Sequence, residues 1–291
     1  MDQVAWTRGQ GCAEIADALS GGTATRIEGD LTEGCIRDRV DTLVTRKLTS
    51  FDLVPVVVPN DVDLSAVGGI TVAVGEGPHS PLAVAVAARL AVTMDVPARA
   101  VSVQAPDTDV GDALDRIHGL IGHLDGVEAA VVEGPSVTAL IEGLADDTLL
   151  VVGAPGGSWF QRQIYGPGRR LRVAAPAGVL TVRTAPPRCF HAIEDAHGST
   201  VGADMAVGDA RNLPLPDVAA VADHGELVGL VRRSALGEAP PDATVRSIME
   251  LPVALDAADP VAAIEDVREY FGDAPVPVVD DSHRLLGVIR S

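Results

Sequence analysis

The sequence predicts an α/β protein: an open parallel sheet with helices on both faces, followed by a smaller α+β unit built from a repeat. Three observations carry this prediction. Between Gly69 and Val182 short apolar runs alternate with helical segments of roughly 10 to 15 residues, the grammar of βαβ units. The runs are continuously apolar instead of alternating, as in strands covered on both faces. Beyond Thr184–Arg188 (Thr-Ala-Pro-Pro-Arg), a linker by composition, the pattern gives way to two similar segments.

Taken in order, residues 1–66 read as an N-terminal extension. Gln10–Leu19 has helical spacing, Thr32–Leu48 is taken as a second helix, and Leu53–Val58 is an apolar strand. Residues 67–185 form the main α/β domain. Ile70–Val74 is β-branched and ends in glycines, and the Ala-rich Pro81–Met94 is a helix. Ala100–Gln104 and Val110–Leu124 are the next strand and helix. Val127–Val132 and Leu149–Val152 are strands flanking a helix over Ser136–Leu144; Leu171–Ala174 ends a fourth helix, and Val179–Val182 is the last strand. In residues 186–291, Val218–Ala235 and Val276–Ser291 each read as an apolar strand, an acidic turn, a second strand and a glycine opening an apolar triplet. Two copies of one unit can bury their apolar faces against each other.

Composition bounds the function. The chain has 291 residues, 47% hydrophobic but only 3% aromatic, so its core must be built from Val, Ala, Leu and Ile. Net charge is −19, with 28 Asp against 13 Glu and a single Lys, Lys47, against 21 Arg. An acidic surface almost free of Lys suits a cytoplasmic protein of a salt-accumulating (halophilic) organism; the alternative is an ordinary acidic protein. Nucleic acid is not an expected partner, because phosphate neutralisation needs a basic face. Cys12, Cys35 and Cys189 form no Cys-x-x-Cys pair, which excludes a disulfide framework and a cysteine-rich zinc site. The start of the chain has no basic and apolar signal regions, and no stretch approaches the roughly 20 apolar residues of a membrane span. The expectation is a soluble, cytoplasmic protein without membrane insertion.

Leu149–Val152 is followed by Gly153-Ala-Pro-Gly156, nine residues and Gly166-Pro167. Glycines after a parallel strand let backbone N–H groups face an anion, and a helix N-terminus behind them adds its dipole. Pro167 suits the first helical position. Arg162, Arg169, Arg170 and Arg172 gather nearby. Two readings stay open: a phosphate site, or surface arginines paired with the acidic exterior.

Gly153-x2-Gly156-x9-Gly166 resembles the Gly-x2-Gly-x9-Gly-(Ser/Thr) motif of universal stress proteins. The likeness spans Gly69 to Thr184 and includes the turn Gly134-Pro135 and the closing Ala175–Val182. It implies a Rossmann-like fold and an adenine nucleotide, ATP above all, held by Gly75, Glu76, Gly134, Gly153, Gly156, Gly157, Gly166, Pro167, Gly168 and Arg169. Two positions depart from the family. Pro167 replaces the hydroxyl residue after the last glycine, and Gly75 stands where the family has an Asp that helps hold the nucleotide. Losing two hydrogen bonds would weaken binding by roughly one to two decades. In residues 1–66, Val4–Gly11 and Phe51–Pro59 resemble a partial second unit, but the nine-residue spacing fails at Leu19. The alternative is an unrelated extension packed on the sheet.

The C-terminal repeat resembles a pair of cystathionine-β-synthase (CBS) domains, which often bind adenosine derivatives. Thr244–Leu255 leads into the second copy, Asp259-Pro260 opens its helix, and the first copy, roughly Thr200–Leu236, is shortened by Pro214 and Pro216. The family's Gly-h-h-Thr-x-x-Asp becomes Gly229-Leu-Val-Arg232-Arg-Ser-Ala235 and Gly287-Val-Ile-Arg290-Ser291. Arg232 and Arg290 would meet phosphates; the ribose-holding Asp is absent.

Other chemistry finds little support. Gly75-x-Gly77-x-x-Ser80 is a near miss to the dinucleotide fingerprint, with the nearest acid, Asp107, about 30 residues on instead of about 20. His79 in that loop has two readings, a ligand contact or, as for most lone loop histidines, a solvated side chain. Cys189, His191 and His197 lie in the linker region without a usable fourth ligand, and His118 and His123 do not share a helix face. No active site or metal site is expected. The sequence therefore points to a non-enzymatic regulatory or stress-response protein, a homodimer sensing ATP or AMP. The alternative is a nucleotide-independent scaffold regulating a partner such as a transporter.

Overall fold

In a computed structural model, which describes residues 1–48, 51–105, 109–124, 126–134, 137–154, 175 and 177–290, the chain divides into two units, Met1–Ala185 and Pro186–Ser291. The first is a mixed α/β unit around one nine-stranded sheet. Its strands are β1 (Val4–Trp6), β2 (Thr25–Arg26), β3 (Thr42–Val44), β4 (Val56–Asn60), β5 (Gly69–Ala73), β6 (Ala98–Gln104), β7 (Val127–Glu133), β8 (Thr148–Gly153) and β9 (Val179–Arg183). Their order is β2-β1-β3-β4-β9-β8-β5-β6-β7. Every neighbouring pair is parallel except β4–β9, an antiparallel seam running from Val56 opposite Arg183 to Asn60 opposite Val179.

The seam relates two halves of like topology. Outward from β9 lie β8, β5, β6 and β7; outward from β4 lie β3, β1 and β2. Each half places its first strand third from the seam, and the first half is one strand shorter. Helices α1 (Cys12–Ser20), α2 (Leu31–Arg37), α3 (Ser80–Met94), α4 (Val110–Ile121) and α5 (Val137–Glu142) form the connections. Asp30 caps α2 by accepting the Glu33 N–H at 3.0 Å, and Asp109 caps α4 by accepting the Gly111 N–H at 2.8 Å. The buried faces of α1 and α3 share one core, including Ile15, Leu19, Leu90, Ile70, Val151 and Leu180. Arg89 of α3 donates from Nε to the Leu19 carbonyl at 2.8 Å, where the dipole at the end of α1 favours a cation.

One expected element of this unit needs correction. Thr32–Leu48 is not one helix: α2 stops at Arg37 and β3 begins at Thr42. Arg39 has a left-handed φ of 48°, which breaks the helix, and Val40, Leu43 and Val44 are buried. The fully buried Thr42-Leu43-Val44 belongs inside the sheet, between β1 and β4. The expected helix ending at Leu171–Ala174 lies outside the described residues.

The second unit holds two three-stranded sheets of one design. β10 (Thr200–Gly202), β11 (Val218–Asp223) and β12 (Glu226–Arg232) form one; β13 (Leu255–Asp256), β14 (Val276–Val279) and β15 (Leu285–Ile289) form the other. In each, a short strand runs parallel to the middle one, which pairs antiparallel with the third. The helices are α6 (Val207–Ala210), α7 (Arg233–Glu238) and α8 (Ile264–Phe271). The brevity of α6 follows from Pro214 and Pro216, which bar a longer helix.

The copies are interlocked by their lead-in turns. Phe190 N–H donates to Ala257 O at 3.0 Å and Cys189 N–H to Asp259 O at 2.8 Å. Reciprocally, Arg246 N–H donates to Ala203 O at 2.8 Å and Val245 N–H to Met205 O at 3.0 Å. Cys189 and His191 therefore do not lie in a linker. They open the first copy, because Cys189 and Phe190 are fully buried. Beyond the turns, Glu194 exchanges two backbone hydrogen bonds with Val288, and Glu250 two with Leu230.

That close approach needs glycine on the strand. A Cβ on Gly229 would lie 2.7 Å from Glu250 O, and one on Gly287 would collide with Glu194 O and Ile193. Gly287→Ala is expected to destabilise this unit by about 1–3 kcal/mol through overpacking. Chemical denaturation followed by circular dichroism checks it against Gly237→Ala, a site with nothing within 4 Å of the new methyl. Equal midpoints for the two variants would contradict the interlock.

Candidate functional site

Ligands of open α/β sheets bind outside the carboxyl ends of the strands, where the strand order reverses. In the second half of the first unit that point lies between β5 and β8. The chain goes from β5 to β6 and β7, then crosses back to β8 and β9. The β5–α3 turn covers this point. Ser80 closes it, its Oγ accepting the Gly75 N–H at 3.1 Å and donating to the Gly75 carbonyl at 2.9 Å.

His79, at the start of α3, gathers the other strand ends. Its Nδ1 accepts the Thr184 backbone N–H at 3.2 Å and lies 2.9 Å from Thr184 Oγ1. Gly153, ending β8, sits against it; a Cβ there would be 3.0 Å from His79 Cβ. The β5–α3 turn, the last residue of β8 and the residue after β9 thus meet at His79. Because Nδ1 accepts, the neutral ring carries its proton on Nε2. Burial pushes its pKa down, and the Arg183 charge adds to that. The expectation of a solvated loop histidine is corrected: His79 is half-buried and anchored.

This arrangement has a pH signature. An imidazole held below its ordinary pKa of 6.5 contributes fully above that value, and the contribution is lost as pH falls through the lowered folded value. The first unit is therefore expected to lose melting temperature below pH 6.5. His79→Asn, which keeps an acceptor but cannot titrate, should show a shallower loss. Equal slopes for variant and wild type in thermal melts at pH 7.5 and 5 would contradict the placement.

The remaining residues named from the sequence are scattered. Glu76 is 84% exposed and pairs with Arg116 of α4 at 3.1 Å. Gly134 follows β7, two strands from β5, and donates its N–H to Gln104 O at 2.9 Å. Gly156, Gly157, Gly166, Pro167, Gly168 and Arg169, with Arg162, Arg170 and Arg172, lie outside the described residues. In the second unit Arg232 and Arg290 occupy matching places and meet matching acids. Arg232 Nε donates to Glu250 Oε1 at 3.0 Å, and Arg290 Nε is 3.4 Å from Glu194 Oε2. Only the first pair is elaborated. Tyr270 donates its hydroxyl to Glu250 Oε2 at 2.5 Å and lies under the Arg232 guanidinium, 4.7 Å from ring centre to Cζ. The Tyr270 hydrogen bond, reinforced by the Arg232 charge against partial burial, holds the Glu250 carboxyl below its usual range.

A second reversal point was missed by sequence reasoning. In the first half it lies between β1 and β3, since the chain goes from β1 to β2 and returns to the other side of β1. A cleft of about 500 Å³ opens beside it, at the ends of β3 and β4, lined by Gln10 after β1, Arg46, Lys47 and Leu48 after β3, and residues 58–62 at the end of β4. The available signal was the chain's only lysine beside an arginine, directly after a strand. Reading Thr32–Leu48 as a helix hid it. Among the described residues no group of three or more His, Cys, Asp or Glu side chains could hold a metal, and no helix is long and apolar enough to cross a membrane.

No known family profile matches the chain, and no curated protein matches it. The solved structures to which it is similar include CBS-domain pairs. The cytosolic domain of the Mg2+ channel MgtE in complex with ATP is 20% identical with a TM-score of 0.32, over 36% of this chain and 46% of that one, so this chain spans under half of its length. A CBS domain pair/ACT domain protein from Thermotoga maritima is 18% identical with a TM-score of 0.31, over 35% of this chain and 88% of that one. The CBS-pair protein CBSX2 from Arabidopsis thaliana is 18% identical with a TM-score of 0.30, over 36% and 89%.

Proposed function

We propose that the chain is a cytoplasmic, non-enzymatic regulatory protein that senses adenine nucleotides, ATP or AMP, and passes the bound state on through packing. The observation that carries this reading is the meeting at His79 of the β5–α3 turn with the ends of β8 and β9, at the reversal point of five parallel strands. On this reading residues 67–185 are a universal-stress-protein-like domain. Residues 1–66 are a shortened copy of it, a reading supported by the shared strand order across the seam. Residues 186–291 are a CBS-like pair, a reading supported by the interlocked repeat. The mechanism would be a ligand-biased equilibrium between packed states, without turnover. A homodimer would have to use a surface other than the β9 edge, which β4 covers.

A second reading, a nucleotide-independent scaffold acting on a protein partner such as a transporter, has its own support. The Gly75 N–H is taken by Ser80, and Arg232 and Arg290 are held by Glu250 and Glu194. Calorimetric titration of ATP, ADP and AMP into the full chain in molar potassium chloride separates the two. Micromolar binding that Gly153→Val abolishes, by driving a side chain into His79, supports the sensor. No heat up to millimolar nucleotide selects the scaffold.

A further inference from the structure

The cleft at the ends of β3 and β4 is separate from the His79 site and has its own chemistry. Arg46 and Lys47, consecutive in the chain, both line it, and Lys47 is the only lysine of the chain. Neither takes part in an ion pair or hydrogen bond among the described residues, in a chain carrying 41 carboxylates. A protein this acidic pairs cations readily: Arg26, Arg37, Arg116, Arg246 and Arg268 each meet an acid within 4 Å. Two neighbouring cations without a partner among the described residues, beside a strand-order reversal, are placed for an anion from outside. Gly9 brings the β1–α1 turn against the Arg46 stem, where a Cβ would lie 3.1 Å from Arg46 Cβ. The start of α1 behind that turn carries no side-chain cap.

The rest of the lining is different. Leu48, Pro59 and Val62 supply apolar surface, and Asp61 adds one carboxylate. The volume falls within the range of small-molecule sites. A lone inorganic anion would leave the apolar wall bare, and an apolar ligand would leave two cations unanswered.

The geometry points to a binding site for an organic phosphate in the β3/β4 cleft, its phosphoryl group on Arg46 and Lys47 and its body against Leu48, Pro59 and Val62. Gln10 donates to the phosphoryl oxygens, and Asp61 accepts a hydroxyl of the ligand body. The assignment does not rest on nucleotide binding at His79.

The single lysine makes the test local. Acylation of Lys47 in the full chain by an amine-reactive ester is followed by peptide mass spectrometry at matched ionic strength, with ADP and inorganic pyrophosphate as probes. Millimolar ADP is expected to slow Lys47 acylation about fivefold or more, and pyrophosphate less. Arg46→Ala, an exposed position, should raise the ADP concentration needed about tenfold, the effect of losing one charged hydrogen bond. An acylation rate unchanged by both probes overturns the site. Equal protection by ADP and pyrophosphate overturns the contact with the apolar wall. Protection that survives both Arg46→Ala and Arg46→Glu overturns the phosphoryl assignment.

Discussion

Removing residues 1–60 is expected to give the chain a new mode of self-association. β4 covers the whole outer edge of β9, pairing Val56, Val57, Val58, Pro59 and Asn60 with Arg183, Val182, Thr181, Leu180 and Val179. Without it, β9 presents a row of unpaired N–H and C=O groups on a mostly apolar strand, the template for edge-to-edge pairing. The loss also strips Ile15 and Leu19 from the core that α1 shares with α3, and takes away the carbonyl that Arg89 caps. Light scattering coupled to size-exclusion chromatography compares the shortened and intact chains at equal concentration. A larger species for the shortened form than for the intact chain is the expected result. A shortened chain as monodisperse and as heat-stable as the intact one would show that the first half is dispensable.

Phe190→Ala should be among the most damaging single substitutions in the second unit, costing about 3–5 kcal/mol. Phe190 is fully buried in a chain with four phenylalanines, and its ring packs on His191 with 4.0 Å between centroids. It sits on the lead-in turn whose backbone hydrogen bonds reach into the other copy, so the cavity opens where the repeats interlock. For a unit of this size such a loss is a large fraction of the total stability. Hydrogen exchange at the Leu230–Glu250 and Val288–Glu194 pairs reads it out. Greatly faster exchange at both pairs is expected; unchanged protection would mean that the lead-in turn does not hold the copies together.

The alternation of apolar runs and helices from Gly69 onward was legible because continuous burial leaves a simple pattern: β5, β6, β7, β8 and β9 fall where that pattern places strands. The first sixty residues were harder for a physical reason. β1, β2 and β3 span three residues or fewer each, too short to build a periodic signal. What makes them strands is pairing within a wide sheet, which no local window contains. The repeat of the second unit was visible in Gly229 and Gly287. Its crossed lead-in was not, because Cys189–His191 resembles a linker until Ala257 and Asp259 are seen to receive it. At the site, Gly75 and Gly153 could be found from their glycine spacing. The role of His79 depends on Thr184, more than a hundred residues away, and so had no sequence signal.

Hydrogen exchange of the intact chain in molar potassium chloride, with and without saturating ATP, tests the central claim most directly. Added protection in the turn at residues 75–80, at Gly153 and around Thr184 is the predicted result, since these segments meet at His79. Identical exchange with and without ATP across the whole chain would contradict nucleotide sensing and leave the scaffold reading in its place.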